Sequence, residues 1–261
     1  MADQLDYSIL DDPSLIQFVF FPRQDWTPSP AGVVDHFVPV WEDLSISCRF
    51  YPIGQHSPSI LYFHGNGEVA SDYDWIAPLY NQIGINLFVA DYRGYGRSNG
   101  TPAFSSAASD AHLILDYFEE MLLSGGYTSN KFVMGRSLGS QSAIELAANY
   151  PERMSGLILE SGFTQNRRLL GQIGLPLVIP GMEEFEKKNL ELLSTITMPA
   201  LLIHGERDTL ISPDESEVIY NHIGTDQKRL VIVPNAGHND IMLVGKDVYF
   251  ESIKRFIFKG G

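Results

Sequence analysis

The sequence predicts an α/β fold, a mostly parallel sheet of about eight strands with helices on both faces and a short lid insertion. Three observations carry this. Short, continuous apolar runs recur from residue 59 onward, segments of helical spacing separate most of them, and two alternating runs precede them. Strands buried on both faces read as continuous rather than alternating, and helices between them imply right-handed parallel crossovers.

In order along the chain, residues 1–30 are rich in Asp, Pro and aromatics and read as an irregular arm with one strand-like piece, IQFVFF (Ile16–Phe21). VVDHFVPVW (Val33–Trp41) and LSISCRFY (Leu44–Tyr51) alternate around Glu42-Asp43, which predicts an antiparallel hairpin. The continuous runs follow: SILYFH (59–64), NLFVAD (86–91), KFVMG (131–135), GLILES (156–161), ALLIHG (200–205) and RLVIVP (229–234). DAHLILDYFEEMLL (110–123) and SQSAIELAANY (140–150) have helical spacing. The segment 162–195 breaks the rhythm with several Gly and Pro residues and then a charged run. It exceeds one crossover helix and is a candidate lid, whose apolar positions include Phe163, Leu175 and Leu177. The whole chain, 1–261, reads as a single domain.

Composition narrows the function. Hydrophobic residues make up 44% and charged residues 19% of the 261, so a packed core is expected and disorder is not. The formal net charge of −14 disfavours nucleic acid and anionic membrane surfaces as partners. Cys48 is the only cysteine, placed in a strand pattern that reads as a core or half-buried thiol. The acidic start MADQLDYSILDDPS lacks the pattern of a signal peptide, and no apolar run reaches the roughly 18 residues of a membrane span. A cytoplasmic protein without integral membrane association is expected; nothing fixes its oligomeric state.

Two stretches fit G-x-S-x-G: GRSNG (96–100) and GRSLG (135–139). A nucleophilic serine of this kind sits on a sharp turn between a strand and a helix. GRSLG has the apolar strand before it and an unbroken helix pattern after it. GRSNG runs into Asn99-Gly100-Thr101-Pro102, a turn cluster that cannot start a helix beneath Ser98. Ser137 is therefore the expected nucleophile. It needs a base oriented by a carboxylate, each on a loop past a later strand. ALLIHGERD places Asp208, and RLVIVPNAGHND places His238. His64, His204 and His222 are the other histidines weighed; His204 is expected to bond locally, and Asp214 to stand at a helix start. The oxyanion donors expected are the backbone amides of Leu138, after the nucleophile, and Asn66, in the His64-Gly65-Asn66-Gly67 loop after the first parallel strand.

HGNGE, DYRGYGRSNGTP, GRSLGSQSA, HGERD and PNAGHND together resemble the serine-hydrolase branch of the α/β-hydrolase superfamily over about residues 58–245. The small-lidded members that include depalmitoylase-like proteins and bacterial esterase-like enzymes are the most similar. The resemblance implies the fold, the triad and a structural role for the DYRGYGRS loop. With one cysteine, the sequence is not expected to carry a counterpart of the depalmitoylases' cysteine-rich lipidated segment. The expected activity is hydrolysis of a small-molecule carboxylic ester or thioester through an acyl-enzyme, with no cofactor and no metal. The alternative is a ligand-binding protein on the same fold with little turnover.

Overall fold

Pro13 decides how the chain begins. In the computed structural model, which describes residues 5–164, 171 and 179–259, Pro13–Val19 is a helix, α1, and not the strand expected from IQFVFF. Proline suits a first helical position because its missing N–H would have no partner there. The Asp12 carbonyl accepts from the Leu15 and Ile16 amides at 2.8 and 2.9 Å. Leu15 and Val19, one turn apart, are buried together, whereas Phe18 and Phe21 stay exposed. An uncharged apolar run fits either period, and burial one helical turn apart selected the helix.

The hairpin forms as expected, β1 (Val34–Trp41) pairing antiparallel with β2 (Leu44–Tyr51). The chain then alternates. β3 (Ser59–Phe63) is followed by α2 (Ala77–Gln82), β4 (Asn86–Ala90) by α3 (Phe104–Ser124), and β5 (Lys131–Arg136) by α4 (Ser140–Asn149). β6 (Leu157–Glu160), α5 (Met182–Ser194), β7 (Ala200–Gly205), α6 (Asp214–His222), β8 (Lys228–Val233) and α7 (Lys246–Lys259) follow, with a single helical turn at Ile241–Val244 before α7. The eight strands form one sheet, β1-β2-β4-β3-β5-β6-β7-β8. β2 joins β4 antiparallel, and every pair from β4 across to β8 is parallel.

Why the strands read as continuous is visible in β3, where successive side chains enter opposite cores. Leu61 and Phe63 pack with Val133, Leu159 and residues of α3 and α4, while Ile60 and Tyr62 pack with Met134, Ile158 and residues of α2 and α7. Strand order reverses at β3, since β4 lies on one side of it and β5 on the other. A crevice at the carboxyl ends of β3 and β5 is where an open α/β sheet takes its ligand.

Of the candidate lid, residues 165–170 and 172–178, Leu175 and Leu177 among them, lie outside the described residues. The charged run after it is α5, which buries Met182, Phe185 and Leu193 in the core. Phe185 meets Tyr7 of the arm edge to face at 5.8 Å. Among the described residues no helix is long and apolar enough to cross a membrane.

Candidate active site

Two glycines of GRSLG are dictated by backbone crowding. A Cβ on Gly139 would run into the Phe63 and His64 carbonyls at the end of β3, and one on Gly135 would strike the backbone of Gly139 and Ser140. Between them Ser137 has φ of 50°, a left-handed conformation that L-residues adopt at a cost of about 1–3 kcal/mol. The turn therefore presses α4 onto the sheet and lifts the Ser137 side chain above the strand ends. Ser98 has no such place. It is buried, accepts from the Ser47 amide at 2.9 Å, and lies 3.1 Å from the Ser47 hydroxyl, which is a loop-bracing role.

The loops after β7 and β8 meet because Gly205 has no side chain: a Cβ there would sit 2.6 Å from the Ala236 carbonyl oxygen and 2.7 Å from that of Gly237. The close approach brings Asp208 and His238 together. His238 Nδ1 lies 2.7 Å from Asp208 Oδ2, and Nε2 lies 3.0 Å from Ser137 Oγ. With an ionised Asp208, Nδ1 carries the proton and Nε2 accepts from the serine hydroxyl. The second carboxylate oxygen of Asp208 accepts from the Leu210 and Ile211 amides at 3.0 and 2.8 Å. Burial opposes ionisation of Asp208, but the hydrogen bonds from His204, His238 and the Ile211 amide outweigh it, holding the carboxyl well below the usual range.

The other histidines have local partners. His204 Nε2 lies 2.8 Å from the Ile211 carbonyl and 3.2 Å from Asp208 Oδ2, and its Nδ1 is 2.6 Å from the Ser216 hydroxyl. It steadies the same carboxylate oxygen that His238 Nδ1 approaches. His64 is fully buried beneath its own loop, 3.2 Å from Asp91. His222 bonds the Val218 carbonyl one turn back in α6, whose first residue is Asp214.

Ser137, Leu138 and Asn66 line one cavity of about 130 Å³, closed by Phe18, Val19, Phe21, Phe163, Leu210 and Ile211. The Asn66 side chain does what the sequence did not suggest. Its Oδ1 accepts from the Phe21 amide at 2.9 Å and the Tyr95 hydroxyl at 2.7 Å, and its Nδ2 donates to the Val19 carbonyl. Arg23 adds a bond to the Gly67 carbonyl at 2.9 Å. The amino-terminal arm is thus pinned to the HGNG loop and becomes a wall of the cavity. Sequence reasoning missed these wall residues because nothing local marks a contact across more than forty positions.

A mostly parallel sheet with this strand order, carrying a Ser–His–Asp constellation at its carboxyl ends, defines an α/β-hydrolase. The chain belongs to the serine aminopeptidase S33 family of hydrolases, whose profile matches residues 54–194 and 181–242. It is similar to alpha/beta hydrolase domain-containing protein WAV2 of Arabidopsis thaliana, 30% identical over 90% of this chain and 78% of that one. It is 29% identical to protein bem46 of Schizosaccharomyces pombe, over 77% of this chain and 67% of the relative. Alpha/beta hydrolase domain-containing protein 17B of Homo sapiens is 28% identical over 81% and 70% of the two chains. Among solved structures the fold is shared with the Pyrococcus furiosus esterase Pf2001, at a TM-score of 0.73 and 18% identity, covering 91% of this chain and 98% of that one.

Proposed function

We propose that the protein is a serine hydrolase that cleaves carboxylic esters or thioesters through an acyl-enzyme. The observation that carries this is the pair of distances from His238, 2.7 Å to Asp208 and 3.0 Å to the strained Ser137. Ser137 Oγ attacks the acyl carbon while His238 Nε2 takes its proton. The carbonyl oxygen becomes an oxyanion facing the amides of Leu138 and Asn66. His238 returns the proton to the leaving alcohol or thiol as the tetrahedral intermediate collapses to the acyl-serine. A water, deprotonated by His238, then releases the acid and restores the hydroxyl. Asp208, kept ionised, holds the imidazole in the required tautomer throughout.

An ester or thioester substrate is favoured over a peptide with a free amino terminus by the chemistry of the cavity wall. A substrate ammonium group needs a carboxylate, and the described residues lining the cavity include none. Its volume is close to the ~150 Å³ of an apolar cavity that takes up benzene, so a short acyl or aryl acyl group fits.

The test is labelling with a fluorophosphonate, followed by assays on acetyl to dodecanoyl esters, the matching thioesters and aminoacyl amides. Labelling at Ser137 with turnover of short esters or thioesters supports the reading. Turnover of the aminoacyl amides alone would replace it with a peptidase. An unlabelled, inert protein would leave the binding alternative.

A further inference from the structure

Arg136, the residue immediately before Ser137, is a full cation only 6% exposed. A guanidinium offers five N–H donors in a rigid plane, and here they reach three separate segments. Nε donates to Glu160 Oε1 at 3.1 Å, at the end of β6. Nη1 pairs with Glu68 in the loop after β3. Nη2 donates to the His238 carbonyl at 2.9 Å and to Asn239 Oδ1 at 3.0 Å. Both carboxylates are themselves tied down. Glu68 Oε2 accepts from the Gly65 amide at 2.9 Å and from the Tyr73 hydroxyl at 2.8 Å. Glu160 Oε2 accepts from the Tyr249 hydroxyl at 2.6 Å. Nη1 also lies well inside contact distance of where a Cβ on Gly65 would stand, so only a glycine lets the loop pack against the guanidinium.

Burial opposes the charge on Arg136, yet Glu68 and Glu160 more than offset it and hold the guanidinium protonated. Such buried ion groups are a poor way to add stability, since well-packed apolar residues of similar volume often serve as well or better. What apolar packing cannot supply is directional contact to three segments at once. The three are the loop after β3, which carries the oxyanion donor Asn66, the end of β6, and the segment carrying His238, all held against the nucleophile turn on which Arg136 stands.

We infer that Arg136 is the positioning residue of this site, registering the His238 loop and the HGNG loop against Ser137 through its Glu68, Glu160 and His238-carbonyl bonds. This rests on the esterase reading above. Its expected signature is a loss in kcat with little change in KM, because loop misplacement of about 1 Å costs on the order of 100-fold in rate.

The experiment compares wild type with Arg136→Met, of similar length, and Arg136→Lys, which keeps the charge on a single nitrogen. Rates are expressed per fluorophosphonate-labelled site, so that misfolded molecules do not count. The expected result is kcat on an acetyl ester lower by about 100-fold in Arg136→Met and by about 10-fold in Arg136→Lys, with KM within about threefold. A folded Arg136→Met with kcat per site within about threefold of wild type overturns the inference. If Arg136→Met does not fold, a normal kcat per site in Arg136→Lys overturns it alike. If the wild type is neither labelled nor active, the esterase reading has failed, and amide hydrogen exchange decides the inference alone. Faster exchange in both 64–68 and 236–240 in Arg136→Lys then supports it, and unchanged exchange in those loops overturns it.

Discussion

His238 Nε2 stands 3.0 Å from Ser137 Oγ although 101 positions separate the two residues in the chain. The contact depends on two backbone approaches that side chains would block, Gly139 against the end of β3 and Gly205 against the loop after β8. Four expectations follow from this geometry.

Replacing Ser137 with Ala should lower kcat by about 10⁴ to 10⁶, leaving only the contributions of binding and the oxyanion donors. Ser98→Ala should keep most of the activity. It removes the acceptor of the buried Ser47 amide and should therefore destabilise the fold by about 1–3 kcal/mol. Ester assays and urea unfolding of the two variants check both halves. Near-normal turnover in Ser137→Ala would end the assignment.

Gly139→Ala should destabilise the protein by at least about 1–3 kcal/mol, since its methyl group meets carbonyl oxygens of β3 that cannot move aside. The urea midpoint should fall at unchanged slope, and the labelling rate at Ser137 should fall with it. An unaltered midpoint would show that the turn relaxes without cost.

The pH dependence of stability should report Asp208. Its folded pKa is lowered, so its contribution is complete above the unfolded value of about 3.9 and is lost as pH falls through the folded value. Asp208→Asn should therefore melt below the wild type by a steady margin from about pH 5 to 8, a margin that shrinks below about pH 4. Thermal melts across this range measure it, and a margin that grows on acidification would contradict the sign. Activity at neutral pH should fall by about 10⁴ in the same variant, because the amide no longer fixes the tautomer.

Acyl selectivity should follow Phe163 and the arm residue Phe18, which face the cavity above Ser137. Phe163→Ala or Phe18→Ala should move the optimum towards longer acyl groups, each added methylene that is buried contributing up to about 0.8 kcal/mol, or about fourfold in kcat/KM. Acetyl ester hydrolysis should change little. A chain-length profile identical to wild type in both variants would remove the arm and Phe163 from substrate selection.

The sequence by itself determined the order in which the strands appear, and it was enough to expect Ser137 rather than Ser98, with Asp208 and His238, as the residues the sheet brings together, because each expectation rests on a local pattern. A strand buried on both faces must be a continuous apolar run, and a strand–turn–helix needs glycines at its crowded turn. Strand or helix for Ile16–Phe21 was not local, since an uncharged apolar run satisfies both periods and only the packing of Leu15 and Val19 separates them. Arg136 left a trace that could have been followed: a cation ending an apolar strand must find buried acceptors. Which acceptors it found, Glu68, Glu160 and the His238 carbonyl, only the tertiary structure decided. The same holds for the arm that Asn66 clasps across the cavity. Periodicity and turn chemistry act over a few residues, whereas a hydrogen bond between distant loops depends on how the sheet has already brought their ends together.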